Sequence, residues 1–262
     1  MKPGFWGRVK QIATLAAEAI SFRRHKPAMP PIFIVGCGHS GTSILLRILG
    51  AHSRIHAIRQ ESSLAMAKGP LRMLRQFDME AGRHGKLRWV EKTPSHIHHI
   101  ETLLSLRDGA LILLIIRDGR DVAWSIKERE GDVGKGIERW IKDNAAGERF
   151  WTHPQVHVLR YEDLVSQPEL TIANVTTFLG EPFEPAMLDY HQEQRSFYSS
   201  NPEQPPRRSG EFHCQFRNWQ INQPLFDGRK RWKLLNAAEN LEIKKKAGEM
   251  LSRYGYGNES DW

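Results

Sequence analysis

Apolar residues recur along this chain in short runs, and each run is followed by a polar cluster and then by a segment with helical periodicity. The runs predict strands at 32–35, 55–58, 87–90, 110–116 and 156–159. The run ALILLII at 110–116 is uninterrupted, which is typical of a central parallel strand covered on both faces. Strands that alternate with helices predict an α/β fold with a central, mostly parallel sheet flanked by helices.

The loop GCGHSGTS, residues 36–43, joins the first strand to a helix. Such a turn directs backbone N–H groups and a helix N-terminus towards an anion. Gly36, Gly41 and Ser43 match the phosphate-binding pattern G-x-x-x-x-G-K-[ST], but Thr42 replaces the lysine that reaches the β and γ phosphates of a nucleoside triphosphate. The pattern predicts a P-loop-like three-layer fold and a phosphate-bearing ligand that need not be ATP. A purely structural turn is the alternative.

Polar residues at two further strand ends are candidates for chemistry, because ligands bind outside the carboxyl edge of open α/β sheets. Glu61 follows the second strand, where a helix N-cap carboxylate is the structural alternative. Arg117 ends the fourth strand and Ser125 lies about one turn into the next helix, so that both could converge on a second anion. The structural alternative for Arg117 is an ion pair with Asp118 or Asp121.

Charge and cysteine content narrow the function classes. The formal net charge of +8 over 262 residues favours an anionic partner. Basic residues are spread along the chain without a helix-turn-helix, zinc-finger or aromatic RNA-binding signature, which argues against nucleic acid as the partner.

The cysteines and histidines give no sign of a disulfide framework or a metal site. Cys37 and Cys214 are too few and too far apart for such a framework, so a cytoplasmic location is expected. His96, His98 and His99 lack a cysteine or carboxylate at a recognised ligand spacing, so no metal site is predicted.

The chain is expected to form one domain at 31–262 after a basic N-terminal segment, 1–30, that is expected to be helical. That segment is a poor signal peptide, and either caps the domain or contacts an anionic membrane surface peripherally. Residues 198–227 have little periodicity and predict a long, lid-like loop. The loop carries Arg207, Arg208, Arg217 and Trp219. The basic run 228–232 that follows is either solvated surface or part of the ligand site.

Five segments in matching order resemble the sulfotransferase family that uses 3′-phosphoadenosine-5′-phosphosulfate (PAPS) as sulfuryl donor. The segments are IFIVGCGHSGTS, VEKTPSHI, LLIIRDGRDVAWSI, VHVLRYEDLV and GRKRW with a helix ending in SRYGYG. The likeness covers about residues 31–256, and the RDGR segment is similar to that of bacterial members and of tyrosylprotein sulfotransferases.

The resemblance implies roles for individual residues. It implies Glu61 as general base, Lys92 as a contact of the transferring group, and His39 at a position that is often Arg or Lys in relatives. Either Lys92 then carries more of the stabilisation of the leaving phosphate, or His39 acts protonated. The implied donor-binding residues are Gly38, His39, Ser40, Gly41, Thr42, Ser43, Arg117, Ser125, Tyr161, Arg229, Lys230 and Arg231.

The implied chemistry is in-line attack of an acceptor on sulfur, with adenosine 3′,5′-bisphosphate (PAP) as product and no metal required. A carbohydrate or glycolipid hydroxyl is favoured as acceptor over a tyrosine peptide or a small alcohol. A P-loop kinase or nucleotide hydrolase, and a catalytically silent protein that binds an adenosine bisphosphate, are the competing readings. The sequence leaves the oligomeric state open.

Overall fold

The computed structural model describes residues 29–193 and 213–257, and within them five strands form one fully parallel sheet in the order β2-β3-β1-β4-β5. The strands are β1 Ile32–Gly36, β2 Ile55–Ala57, β3 Arg88–Lys92, β4 Leu111–Ile116 and β5 Val156–Arg160. In β1, Ile34 is paired with Lys92 of β3 and with Leu113 of β4. The predicted strands are thus confirmed to within a few residues at their ends.

Helices connect the strands and cover the sheet. In the described residues they are α1 Thr42–Gly50, α2 Pro70–Arg83, α3 Ile100–Leu106, α4 Gly119–Glu130, α5 Val133–Glu148, α6 Tyr161–Ser166, α7 Pro168–Leu179, α8 His213–Gln220 and α9 Ala237–Arg253. A 3₁₀ helix, Pro94–His99, precedes α3. Helix α8 corrects the expected loop at 198–227, because residues 213–220 are helical.

The sheet alternates its side chains between two cores. Ile32 and Ile34 of β1 pack with α1 and α7 on one face, whereas Phe33 and Val35 pack with α2 and α3 on the other. A third cluster joins α4, α5 and α9 around Trp140. The expected P-loop-like α/β fold, with a central parallel sheet between two helical layers, is confirmed. Because every strand is parallel, their carboxyl ends share one edge, and β1 lies between β3 and β4 there.

Some expectations fall on residues outside the described ranges. The N-terminal segment up to residue 28, Arg207 and Arg208 belong to them, and so does the side chain of Arg217. Among the described residues, no helix has the length and apolar content needed to span a bilayer.

Candidate functional site

The turn between β1 and α1 forms an open cradle of backbone N–H groups. Gly41 caps α1 in a left-handed conformation (φ 93°) and no side chain caps the helix. The first-turn N–H groups of such a helix have no intrahelical partner, and the helix dipole adds positive potential there. A Cβ on Gly41 would lie 2.7 Å from the Tyr161 ring, so both the conformation and the space require glycine.

A cavity of about 580 Å³ opens against this cradle. It brings together ten of the residues that the sequence marked as candidates. They are Gly38, His39, Gly41, Thr42, Ser43, Glu61, Arg117, Ser125, Tyr161 and Arg231. Ser40, Lys92, Arg229 and Lys230 do not line the cavity, and each has a different position that is described below.

Arg117 is fixed at the carboxyl end of β4 by carbonyl groups. Its Nη1 donates to the carbonyl oxygen of His39 (2.8 Å) and its Nη2 to that of Gly228 (2.5 Å), while the guanidinium lies 4.2 Å from the centre of the Tyr161 ring. The ion pair considered as the structural alternative does not form. Asp118 pairs with Arg120 instead, and Asp121 accepts from the backbone N–H groups of Lys230 and Trp232.

His39 and Ser125 connect the cradle to helix α4. His39 adopts a positive φ of 70°, and its Nδ1 lies 2.8 Å from the Oγ of Ser125. Ser125 therefore lies beside the cradle, although the cradle follows β1 and Ser125 belongs to helix α4, which follows β4. Arg117 contacts the backbone of the same histidine, so the three residues form one polar wall of the cavity.

Glu61 and Lys92 form an ion pair at the cavity edge, with 2.5 Å between Glu61 Oε1 and Lys92 Nζ. The Lys92 side chain is only 1% exposed and that of Glu61 is 36% exposed. The buried ammonium thus supports the carboxylate from behind, and the carboxylate faces the cavity. Glu61 lies in a loop between β2 and the 3₁₀ helix Leu64–Met66, so it is not the cap of an α-helix.

Glu91, next to Lys92 in β3, holds this loop. Its carboxylate is fully buried, and its Oε1 accepts hydrogen bonds from the backbone N–H and Oγ of Ser62 and from the Oγ1 of Thr93. Sequence reasoning did not single out Glu91. These bonds attach Ser62, the residue after Glu61, to strand β3, which also carries Lys92.

The basic run after α8 divides between the cavity and the surface. Arg231 lies 5.2 Å from the centre of the Trp124 ring and 5.6 Å from that of Phe226. Arg229 instead pairs with Asp227 at the surface, and this contact lowers the pKa of Asp227 to about 2. Lys230 adopts a positive φ of 61° and meets Asp121 through its backbone. Only Arg231 of the three basic residues lines the cavity.

Two buried polar atoms near the cradle have no hydrogen-bond partner among the described residues. They are the Oγ of Ser40 and the Nε of Arg117. Unpaired buried polar atoms are costly, so these two are consistent with a site built for a polar ligand. Burial also raises the pKa of Tyr161, whose hydroxyl donates to the carbonyl oxygen of Phe226 (3.2 Å).

Several lining residues were missed from the sequence. They include Trp124, Arg139, Phe226 and Gly228. Trp124 adjoins Ser125 in a quoted motif and could have been inferred, whereas Arg139 lies in a helix without any motif. A Cβ on Gly228 would lie 2.7 Å from the Tyr161 hydroxyl oxygen, a close approach that only the fold reveals.

The histidines of the Pro94–His99 helix serve as structural partners. His98 Nε2 lies 2.8 Å from Asp143 Oδ1, and His96 Nδ1 lies 3.4 Å from Glu91 Oε2. Within the described ranges, no group of three or more His, Cys, Asp or Glu residues has an arrangement that could hold a metal ion.

Comparison with solved structures identifies the fold. The sulfotransferase domain of the Synechococcus PCC 7002 olefin synthase superposes with a TM-score of 0.59 and 19% identity, covering 86% of this chain and 96% of that chain. Mouse sulfotransferase SULT7A1, in complex with PAP, superposes with a TM-score of 0.57 and 15% identity, covering 91% and 92%. The architecture is therefore that of the sulfotransferase class.

Sequence comparison agrees with this class. A model of the sulfotransferase family matches residues 72–185, which include Arg117, Ser125 and Tyr161. A protein of Aquifex aeolicus (strain VF5) is 24% identical over 246 residues, which cover 77% of this chain. The chain spans 32% of that relative's length. The chain thus has the fold of solved sulfotransferases, and its segment 72–185 is similar to the sulfotransferase family.

Proposed function

We propose that this protein transfers a sulfuryl group from PAPS to an acceptor hydroxyl. The observation that carries the proposal is the presence of two anion-binding places on one cavity. One is the cradle before α1, and the other is the group of Arg117, Ser125 and His39. A donor with a 5′-phosphosulfate and a separate 3′-phosphate requires both, and it does not require the lysine that Thr42 replaces.

The residues present fit such a donor. The loop 38–43 would hold the 5′-phosphosulfate, with the unpaired Oγ of Ser40 beneath it, and Arg117 and Ser125 would hold the 3′-phosphate. Tyr161 packs between the cradle and Gly228, and Arg231 with Trp124 and Phe226 closes the cavity with aromatic surface suited to a nucleobase. When bound, the donor supplies an activated sulfuryl group with PAP as the leaving group.

Glu61 is proposed to accept the proton of the attacking hydroxyl, since it combines a cavity position with a fixed orientation. Lys92 orients that carboxylate from behind and places positive charge close to the site. His39 and the loop N–H groups would stabilise the developing charge on the leaving phosphate. A preorganised donor of this kind typically contributes about 2.7 to 4 kcal/mol.

For the acceptor we propose a carbohydrate or glycolipid hydroxyl, with a tyrosine peptide as the alternative. The proposal is supported by the composition of the 198–227 segment, whose arginines and Trp219 suit sugar rings bearing acidic groups. The proposed Glu61 base suits any hydroxyl acceptor and does not discriminate between these classes.

Calorimetric titration with PAP, in parallel with ATP plus Mg²⁺, tests the donor. We expect PAP to bind without metal and ATP to bind weakly. Preference for Mg-ATP would contradict the proposal and favour a P-loop kinase or hydrolase. Transfer of radiolabelled sulfate from PAPS to a panel of glycans, glycolipids and tyrosine peptides then tests the acceptor, with heat-inactivated protein as the blank.

A further inference from the structure

Arg139, in the middle of helix α5, lies directly on the anion cradle. Its side chain lines the cavity, and its Nη2 is 2.8 Å from the point where a Cβ on Gly38 would stand. The absence of a side chain at position 38 therefore leaves the space that the guanidinium occupies. The backbone of Gly38 does not adopt a positive φ. The requirement for glycine at position 38 therefore comes from the close approach of Arg139 and not from the backbone conformation.

A buried carboxylate holds Arg139 in place. Asp143 lies one helical turn further on, with its Oδ2 3.4 Å from Arg139 Nε. Its Oδ1 accepts a hydrogen bond from His98 Nε2 (2.8 Å). The Asp143 side chain is only 9% exposed. Because His98 belongs to the 3₁₀ helix that follows β3, Arg139 is anchored on the β3 side of the cradle.

The other cations at or beside the cavity occupy different places, and one of them, Arg129, pairs with Glu130. Arg117 reaches the cradle from β4 and donates to two carbonyl groups. Arg231 lies beside the aromatic rings of Trp124 and Phe226. Lys92 is buried behind Glu61. Arg139 is thus placed to meet a ligand group at the Gly38 end of the cradle, apart from the Arg117 group.

We propose that Arg139 is a donor-binding residue that contacts the 5′-terminal anionic group of the nucleotide, with Asp143 as the residue that positions it. The inference rests on the proposed function. A guanidinium stays charged at any physiological pH and presents a planar fork of donors to phosphate or sulfonate oxygens. The cradle therefore combines backbone N–H groups with a permanent cation at this end.

The test compares two nucleotides that differ only at the 5′ position, namely PAP and adenosine 3′-monophosphate. Calorimetry on Arg139→Ala is expected to show about a tenfold loss of affinity for PAP, as for one charge-assisted hydrogen bond, and unchanged affinity for adenosine 3′-monophosphate. Arg139→Lys should recover part of the loss. Arg149→Ala, which removes an exposed arginine near the end of the same helix, is the control for net charge.

Gly38→Ala provides an independent route, because its Cβ would displace the guanidinium without removing the charge. We expect the same selective loss for PAP, and no further loss when Gly38→Ala is combined with Arg139→Ala. Unchanged PAP affinity in Arg139→Ala, or an equal loss for both nucleotides, would overturn the inference. If the wild-type protein binds neither nucleotide, the proposed function itself is overturned. That outcome is seen with the wild-type protein alone, so it is distinguishable from a failure of the Arg139 inference.

Discussion

The Nδ1 of His39 lies 2.8 Å from the Oγ of Ser125, although 86 positions separate the two residues in the chain. His39 belongs to the loop after the central strand, and Ser125 to the helix after the adjacent strand β4. One hydrogen bond thus joins the two places proposed to bind the anionic groups of the donor. Because Arg117 also contacts His39, Ser125 is expected to act together with these two residues at the proposed 3′-phosphate place.

Ser125→Ala should weaken the recognition of a 3′-phosphate selectively. The variant removes one hydroxyl from the wall that Arg117 and His39 share, and we expect PAP affinity to fall about tenfold. Affinity for adenosine 5′-monophosphate, which lacks the 3′-phosphate, should not change. Calorimetry with both nucleotides checks this, and an equal loss for both would assign Ser125 a structural role.

Arg117→Ala should have a larger effect on the same ligand. We expect PAP affinity to fall roughly 100-fold, about 2.7 kcal/mol, because both the charge and the ordering of the His39 and Gly228 carbonyl groups are lost. Thermal unfolding separates lost binding from lost fold. Arg253→Ala, which removes an exposed arginine, is the matched control. Unaltered PAP affinity would remove Arg117 from the site.

Glu61→Gln should slow sulfuryl transfer by about 10² to 10⁴ while donor binding stays within a factor of two. The amide keeps the shape of the side chain and an oxygen for Lys92, but it cannot accept the proton. Single-turnover rates with PAPS, measured beside calorimetry with PAP, check the separation. Full activity would show that another group is the base.

Glu91→Ala should destabilise the fold, since it removes the buried acceptor of the Ser62 and Thr93 hydroxyl groups and leaves the Ser62 N–H only its contact with Thr93 Oγ1. A loss of about 3 kcal/mol in the free energy of unfolding is expected. Urea denaturation measures this loss. Glu101→Ala, which removes an exposed carboxylate, is the control, and its free energy of unfolding should lie within about 0.5 kcal/mol of the wild-type value. If Glu91→Ala is as stable as the control, the network does not hold the Glu61 loop.

Glu162→Gln should change how stability depends on pH. Burial raises the pKa of Glu162 above 4.5, partly offset by its hydrogen bonds from the backbone N–H of Asp118 and from Tyr256. Well below pH 4.5, the ordinary pKa of the group, the carboxyl is protonated in both the folded and the unfolded state. As pH rises, the unfolded carboxyl ionises first, so wild-type stability falls until the folded carboxyl ionises as well.

The glutamine variant does not titrate, its amide oxygen can accept from the Asp118 N–H, and its amide N–H can donate to the Tyr256 hydroxyl oxygen. Its free energy of unfolding should therefore rise relative to wild type as pH increases through that window and then stay level. Urea titrations from pH 4 to 7 check this. Parallel curves for the two proteins would show that burial does not raise the pKa of Glu162.

The sequence by itself determined the strands, the cradle and most of the polar residues around the cavity. An unbroken apolar run such as ALILLII can only be covered on both faces, and a glycine-rich turn between a strand and a helix has few other conformations. Because parallel strands place their carboxyl ends at one edge, Glu61, Arg117 and the loop 36–43 were expected together, and they line one cavity.

The tertiary structure alone decided which cations reach that cavity. Arg229, Lys230 and Arg231 are equivalent in the sequence, yet only Arg231 lines the cavity. Arg139 carried no signal, because its position depends on how α5 packs over Gly38 and on the partner that His98 supplies to Asp143. Local patterns specify strands and turns through short-range sterics, whereas the direction of a long charged side chain is set by contacts between residues far apart in the chain.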